Sequence, residues 1–183
     1  AERRPWLASW DSCPLGSLAM DFAGIAGVPL RLRQRAGLAC GRAIAERAGA
    51  AAPACRELIA LAEGCVDHPK AENGRVPRRS RDFTSALDRL FVGLSGLSVE
   101  ERDVAQSVLR LANLLTSRPG AWTPRGEWKT AYHVTNHLVQ CARSFQTNLA
   151  LAVRDIIPAS LVLRGLALQD VGERRDVAPG VVE

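Results

Sequence analysis

The sequence predicts an all-α fold, an irregular helical bundle of five or six helices around a long C-terminal helix. Three observations carry that expectation. Apolar residues step by three or four from Ala131 to Ile156, the spacing of one face of an α-helix. Ser98 followed by Glu101 precedes another such stripe and forms a capping box, in which each side chain ties down an otherwise unpaired backbone donor. The composition is 47% apolar and only 5% aromatic, with much Ala and Leu, both good helix formers. β-branched residues rarely alternate with polar ones, as half-buried strands would require.

Taken in order, residues 1–29 hold Trp6, Trp10, Pro14 and Pro29 among several glycines. They read as an irregular N-terminal arm with room for one short helix around Leu15–Phe22. The bundle domain spans residues 30–170. From Leu30 to Ala48 the pattern is helical: Leu32, Ala36, Ala39, Cys40, Ala43 and Ile44 share one face, and Arg31, Arg35 and Arg42 another, at about 100° per residue. Ala50–Ala54 breaks this helix. Pro53 suits the first turn of the next, which runs to about Gly64 and buries Leu58, Ile59 and Ala62.

The segment Asp67–Asp82 is rich in Pro, Asn, Gly and Arg and reads as a solvated loop, longer than most connections in compact domains. Leu87, Leu90, Phe91 and Leu94 mark a short third helix ending near Gly93–Gly96. Behind the capping box, Val104, Val108, Leu111 and Leu115 form one stripe, stopped by Pro119-Gly120. Thr123 as cap and Pro124 at the first position open the long helix, and Pro158 ends it. Its apolar positions are Ala131, Val134, Leu138, Cys141, Phe145, Leu149, Ala152 and Ile156. The apolar run Leu161–Leu168 fits helix or strand, and residues 171–183 form a charged tail expected to be mobile.

Four strings resemble a multi-copy helical domain family known from planctomycete genomes. They are Trp6-Leu7, Arg31-Leu32-Arg33, Ala39-Cys40-Gly41-Arg42-Ala43-Ile44 and Arg154-Asp155-Ile156-Ile157-Pro158, and Leu58–Gly64 is similar to that family's second helix. Gly41 stands where the family has the second of two cysteines, and the family's Asn-Pro-Phe-Arg is absent. The resemblance implies a helical fold and a cytoplasmic setting. It brings no assigned activity and no functional residue.

Net charge is +5, which favours anionic partners without approaching a histone-like excess. Of the 24 basic residues only Lys70 and Lys129 are lysine, a bias a GC-rich coding sequence also produces. The five cysteines are scattered and odd in number, as expected of reduced thiols in a cytoplasmic protein, most of them small core residues. No apolar run follows the N-terminal basic residues as in a signal peptide. None approaches the roughly 20 residues of a membrane span.

Three groups could carry function. Cys65 and His68, with His133 and His137 one helical turn apart, could give zinc a tetrahedral set of nitrogen and sulfur ligands if the two pairs converged. Against this, His137 lies about 75° and His133 over 100° from the centre of the long helix's stripe, which puts His133 on the wet side. Within Pro69–Arg81, Lys70, Arg75, Arg78, Arg79 and Arg81 face the single carboxylate Glu72. With the Arg31/Arg35/Arg42 row they could neutralise nucleic-acid or other polyanion phosphates, although no aromatic residue is interleaved for base stacking. Trp6, Trp10 and Phe22 are costly to leave in water and should cover the bundle or anchor a partner. No phosphate-binding glycine loop, Gly-x-Ser-x-Gly or His-Glu-x-x-His is present, so nothing invites an enzyme assignment. The expectation is a non-catalytic helical module that binds another protein or itself, with polyanion binding the alternative, zinc binding the third and no membrane contact.

Overall fold

The computed structural model describes residues 26–67, 80–116, 124–145, 148–162 and 164–165, together with Trp10, Gly16, Ala19, Met20 and Ala23. Regular structure among these residues is helical throughout, with no strand. The fold is all-α. None of the helices among the described residues is long and apolar enough to cross a membrane.

Helix α1 (Leu30–Ala45) is followed by a 3₁₀ turn at Gly49–Ala51 and by α2 (Ala52–Asp67). Helix α3 (Arg81–Gly93) runs into a second 3₁₀ turn, Leu94–Gly96. Then come α4 (Val99–Leu115), α5 (Pro124–Phe145) and α6 (Leu149–Ile156). Chemistry legible in the sequence sets several of these boundaries. Ser80 accepts from the Phe83 amide at 3.0 Å to cap α3. At α4 the capping box closes: Ser98 Oγ accepts from the Glu101 amide at 3.3 Å, and Glu101 accepts from the Ser98 amide at 3.1 Å. Pro53 lies in the first turn of α2 and Pro124 opens α5.

α1 is the hub. It packs on α2, α4 and α6 and also touches α5, because small residues line most of its circumference. Ala36, Gly37, Cys40, Gly41 and Ala45 are buried beside Leu38 and Ile44. A Cβ on Gly37 would stand 2.7 Å from Leu115 Cδ1, and one on Gly41 would stand 2.8 Å from Ile59 Cδ1. Both neighbouring side chains belong to the core. Bare backbone at these two positions lets α4 and α2 approach α1 closely. The buried Gln34 donates from Nε2 to the Leu115 carbonyl at 2.9 Å. That bond satisfies one of the carbonyls that the end of α4 leaves unpaired.

Three expectations are corrected. The long C-terminal helix spanning residues 123–157 is two helices. Asn148 is extended (φ −78°, ψ 91°), and its Oδ1 accepts from the Ala150 amide at 3.1 Å, starting α6. Phe145 and Leu149 are four apart, so the three/four spacing continues across the break. The centre of the bundle is accordingly α1. The third correction concerns α3, whose buried stripe is Phe83, Ala86, Leu90 and Leu94, while Phe91 is 65% exposed. Phe91 follows Leu90 by one residue, about 100° around the helix.

Other expected core positions are buried: Val104, Val108, Leu111, Leu115, Val134, Leu138 and Cys141, with Phe145 half-buried. α2 continues three residues beyond Gly64, to Asp67. Of the described residues of the N-terminal arm, Trp10, Ala19, Met20, Ala23, Ala26 and Val28 belong to the same hydrophobic core as the helices. The Thr123 cap, the side chain of Ala131, most of the Asp67–Asp82 loop and the 171–183 tail lie outside the described residues.

Candidate functional site

The arginine row on α1 is joined to α2. Arg31 donates from Nη2 to the Asp67 carbonyl at 2.8 Å, and its Nε lies 3.4 Å from Asp67 Oδ1. Arg35 Nη2 lies 3.2 Å from Asp67 Oδ2, and Arg42 pairs with Glu63. α2 thus meets the row with a carboxylate at each end. The pairs are substantially exposed and worth only about 0–1 kcal/mol each, but they reduce the positive field a polyanion would meet. Of the loop arginines only Arg81 is described, as the first residue of α3; Arg75, Arg78 and Arg79 lie outside the described residues.

Of the expected zinc set, Cys65 is buried near the end of α2, His133 is exposed and His137 buried on α5, and His68 lies outside the described residues. Among the described residues no three His, Cys, Asp or Glu side chains come together as metal ligands would. Of the expected partner anchors, Trp10 is 2% exposed, its indole committed to the core. Its carbonyl accepts from Arg154 Nη1 at 3.1 Å, which ties the arm to α6. Trp6 and Phe22 lie outside the described residues.

What the sequence did not reveal is a cleft of about 290 Å³ between α4 and α5. Ser107 and Arg110 line it from α4, and His137, Gln140, Cys141 and Phe145 from α5. His137 is 6% exposed. Its Nε2 lies 3.1 Å from the Ser107 carbonyl. A carbonyl can only accept, so Nε2 carries the proton and Nδ1 the lone pair. That Nδ1 is buried and has no hydrogen-bond partner. Burial lowers the His137 pKa below its ordinary value, the charge of Arg110 adds to the effect, and the Ser107 carbonyl and Gln140 oppose it. The ring is therefore neutral at physiological pH.

Cys141 Sγ sits 3.6 Å from the same Nε2, a spacing that could suggest a nucleophile and its base. The chemistry runs the other way. Burial raises the Cys141 pKa, offset in part by the Ser107 hydroxyl. Nε2 is already protonated toward Ser107 and cannot take the thiol's proton. Burial also pushes Cys40 up to about 12 and Cys55 up to about 11. Cys40, Cys55, Cys65 and Cys141 are all free and buried, and thiols held protonated by burial, as Cys40, Cys55 and Cys141 are, are poor nucleophiles.

The second feature is a corner. Phe91 and Val92 at the end of α3 are 65% and 73% exposed, and Val99 at the start of α4 is 72% exposed. Only the 3₁₀ turn and three flanking residues, Gly93, Leu97 and Ser98, separate Val92 from Val99. Arg102 holds that turn, donating to the carbonyls of Leu94 and Leu97 at 3.0 and 3.1 Å. The signal in the sequence was Phe91-Val92 beside an already complete stripe, which leaves two large apolar side chains with no core to enter. No family model matches the chain, and neither a curated protein nor a solved structure matches it.

Proposed function

We propose that this chain is a non-catalytic helical module that binds another protein through the α3–α4 corner. The observation that carries this reading is the exposure of Phe91, Val92 and Val99. Scattered exposed apolar residues are ordinary, but three large ones around one braced turn make a ready docking patch. Each would contribute about 1.5–3 kcal/mol if fully buried by a partner. The protonated Cys141 and the neutral His137 favour binding over catalysis, since neither is activated. Four free, buried thiols suit a reducing, cytoplasmic setting. Kinship with the planctomycete helical family belongs to the same proposal: its Arg31 and Arg154 positions make hub or arm contacts here.

The test compares the chain with its Phe91→Ser/Val92→Ser/Val99→Ser variant. Because these side chains are exposed, the variant should melt at the same temperature as the parent. Affinity capture from the native host should recover a partner with the parent and lose it with the variant. Capture of the same partner by both at equal yield would overturn the assignment. Sedimentation of the two proteins checks whether the partner is a second copy of the chain.

A further inference from the structure

We propose that the α3–α4 corner docks a cationic segment of a partner protein, with apolar side chains against Phe91, Val92 and Val99 and Lys or Arg side chains against Asp88 and Asp103. This rests on the docking reading above and names the partner's chemistry. The apolar patch is the ground, and the charges around it choose the occupant. Between residues 88 and 103 stand four carboxylates, Asp88, Glu100, Glu101 and Asp103, against two guanidinium groups, Arg89 and Arg102. Both cations are already engaged. Arg89 pairs with Glu57 at 2.7 Å, and Arg102 donates to the carbonyls of the turn itself. Of the carboxylates, Glu101 is held by the Ser98 and Ala50 amides. Glu100 stands in the first turn of α4, where the positive end of the helix dipole accounts for it.

Asp88 and Asp103 have no such duty. Both are exposed and form no ion pair among the described residues. Asp88 lies in the second half of α3 and Asp103 beyond the first turn of α4, so the helix dipole stabilises neither. Their spacing ties them to the patch. Asp88 precedes Phe91 by three residues and Val92 by four, and Asp103 follows Val99 by four, the separations that make side chains neighbours on one helix face. Each half of the patch therefore has a carboxylate beside it on its own helix. The exposed ring of Phe91 adds to the same preference, because a cation over its face is attracted by the ring's quadrupole. The next cation along α4 is Arg110, two turns beyond Asp103 and about 10 Å along the axis. The chain as a whole carries +5, so a preference for cations can come only from a local acidic surface. There is no strand edge among the described residues, so the partner is read by side chains and not by strand addition.

The experiment titrates the full chain into fluorescein-labelled peptides of about 15 residues, roughly 22 Å long as helices. One is an amphipathic leucine–lysine peptide, and its counterparts carry glutamate for every lysine or serine for every leucine. The leucine–lysine peptide should bind saturably and at least about tenfold more tightly than either counterpart, although the chain's net charge favours the glutamate peptide. Asp88→Asn/Asp103→Asn should weaken that binding by about tenfold with the melting temperature unchanged, and the difference should vanish near about 1 M salt, where exposed charges are screened. The proposal is overturned if the glutamate peptide binds as tightly, or if the leucine–lysine peptide shows no saturable binding by about 1 mM. It is overturned equally if either Asp88→Asn/Asp103→Asn or Phe91→Ser/Val92→Ser/Val99→Ser binds that peptide as tightly as the parent. Sedimentation at the same concentrations should show a monomer, and a dimer that the serine variant loses would put a second copy on the corner instead. The two readings fail separately. A host partner lost by the serine variant but kept at full affinity by Asp88→Asn/Asp103→Asn leaves the corner as the docking site and removes only its cationic occupant.

Discussion

The carboxylate of Glu101 gathers donors from two elements. It accepts from the Ser98 amide at 3.1 Å and from the Ser98 hydroxyl at 2.8 Å, both at the start of α4. It also accepts from the Ala50 amide at 3.0 Å, in the 3₁₀ turn ahead of α2. Gly49 makes that reach possible, because its φ is +53° and a Cβ there would collide with the Glu101 carboxylate. A capping residue has thus become a clasp between α4 and the α1–α2 connection. The Ala50 amide, followed by the Ser98 hydroxyl and amide, lowers the Glu101 pKa below the usual carboxylate range. The sign follows from linkage. A depressed folded-state value contributes stability that is complete above the ordinary carboxylate pKa and is lost as pH falls through the folded value. Glu101→Gln should therefore lower the melting temperature at neutral pH, with the gap to the parent closing as pH falls below the ordinary carboxylate range. A gap that stays constant over that range would show that the charge is not what the clasp uses. The Ser98–Glu101 pair was legible in the sequence; the Ala50 contact was not, because it depends on how two distant segments pack.

At the scale of elements, α1 makes the packing claim that is easiest to test. Adding a side chain to a helix glycine brings up to about 1 kcal/mol of helix propensity, while overfilling a close-packed core costs about 1–3 kcal/mol. Position decides which effect wins. At Gly41 the new atoms run into the buried Ile59, so Gly41→Val should destabilise by about 2 kcal/mol. At Gly64, on the exposed side of α2, a Cβ would meet nothing within 4 Å, and Gly64→Ala should stabilise by about 0.5–1 kcal/mol. Denaturant titration of both variants checks the pair, and an equal response from the two would refute the close-approach argument. Spacing and capping rules located most helix boundaries because those signals are local. They missed the break at Asn148, since Phe145 and Leu149 preserve the apolar spacing across it. They also made the C-terminal helix central, since an apolar stripe tells which face is buried and not how many neighbours a helix has. α1 earned the hub through small residues on several faces, a pattern that stripe-reading passes over.

For the molecule as a whole, the cleft and the corner both arise from packing between helices, and this is why the sequence only hinted at them. His137 and Cys141 were visible as neighbours one turn apart on α5. Nothing local showed that Ser107 and Arg110 of α4 would face them. The arginine row on α1 was legible as a basic face, but that Asp67 and Glu63 of α2 lie against it was not. Phe91 read as core because Leu87, Leu90 and Leu94 are core-facing or nearly so, yet the helix turns it outward. The central claim is that the α3–α4 corner is where a partner docks. Hydrogen–deuterium exchange of the chain alone and in complex with its captured partner tests this most directly. The account requires new protection across residues 88–102, with α1 unchanged because it is already buried at the hub. Protection confined to other segments, with residues 88–102 exchanging as in the free chain, would contradict it.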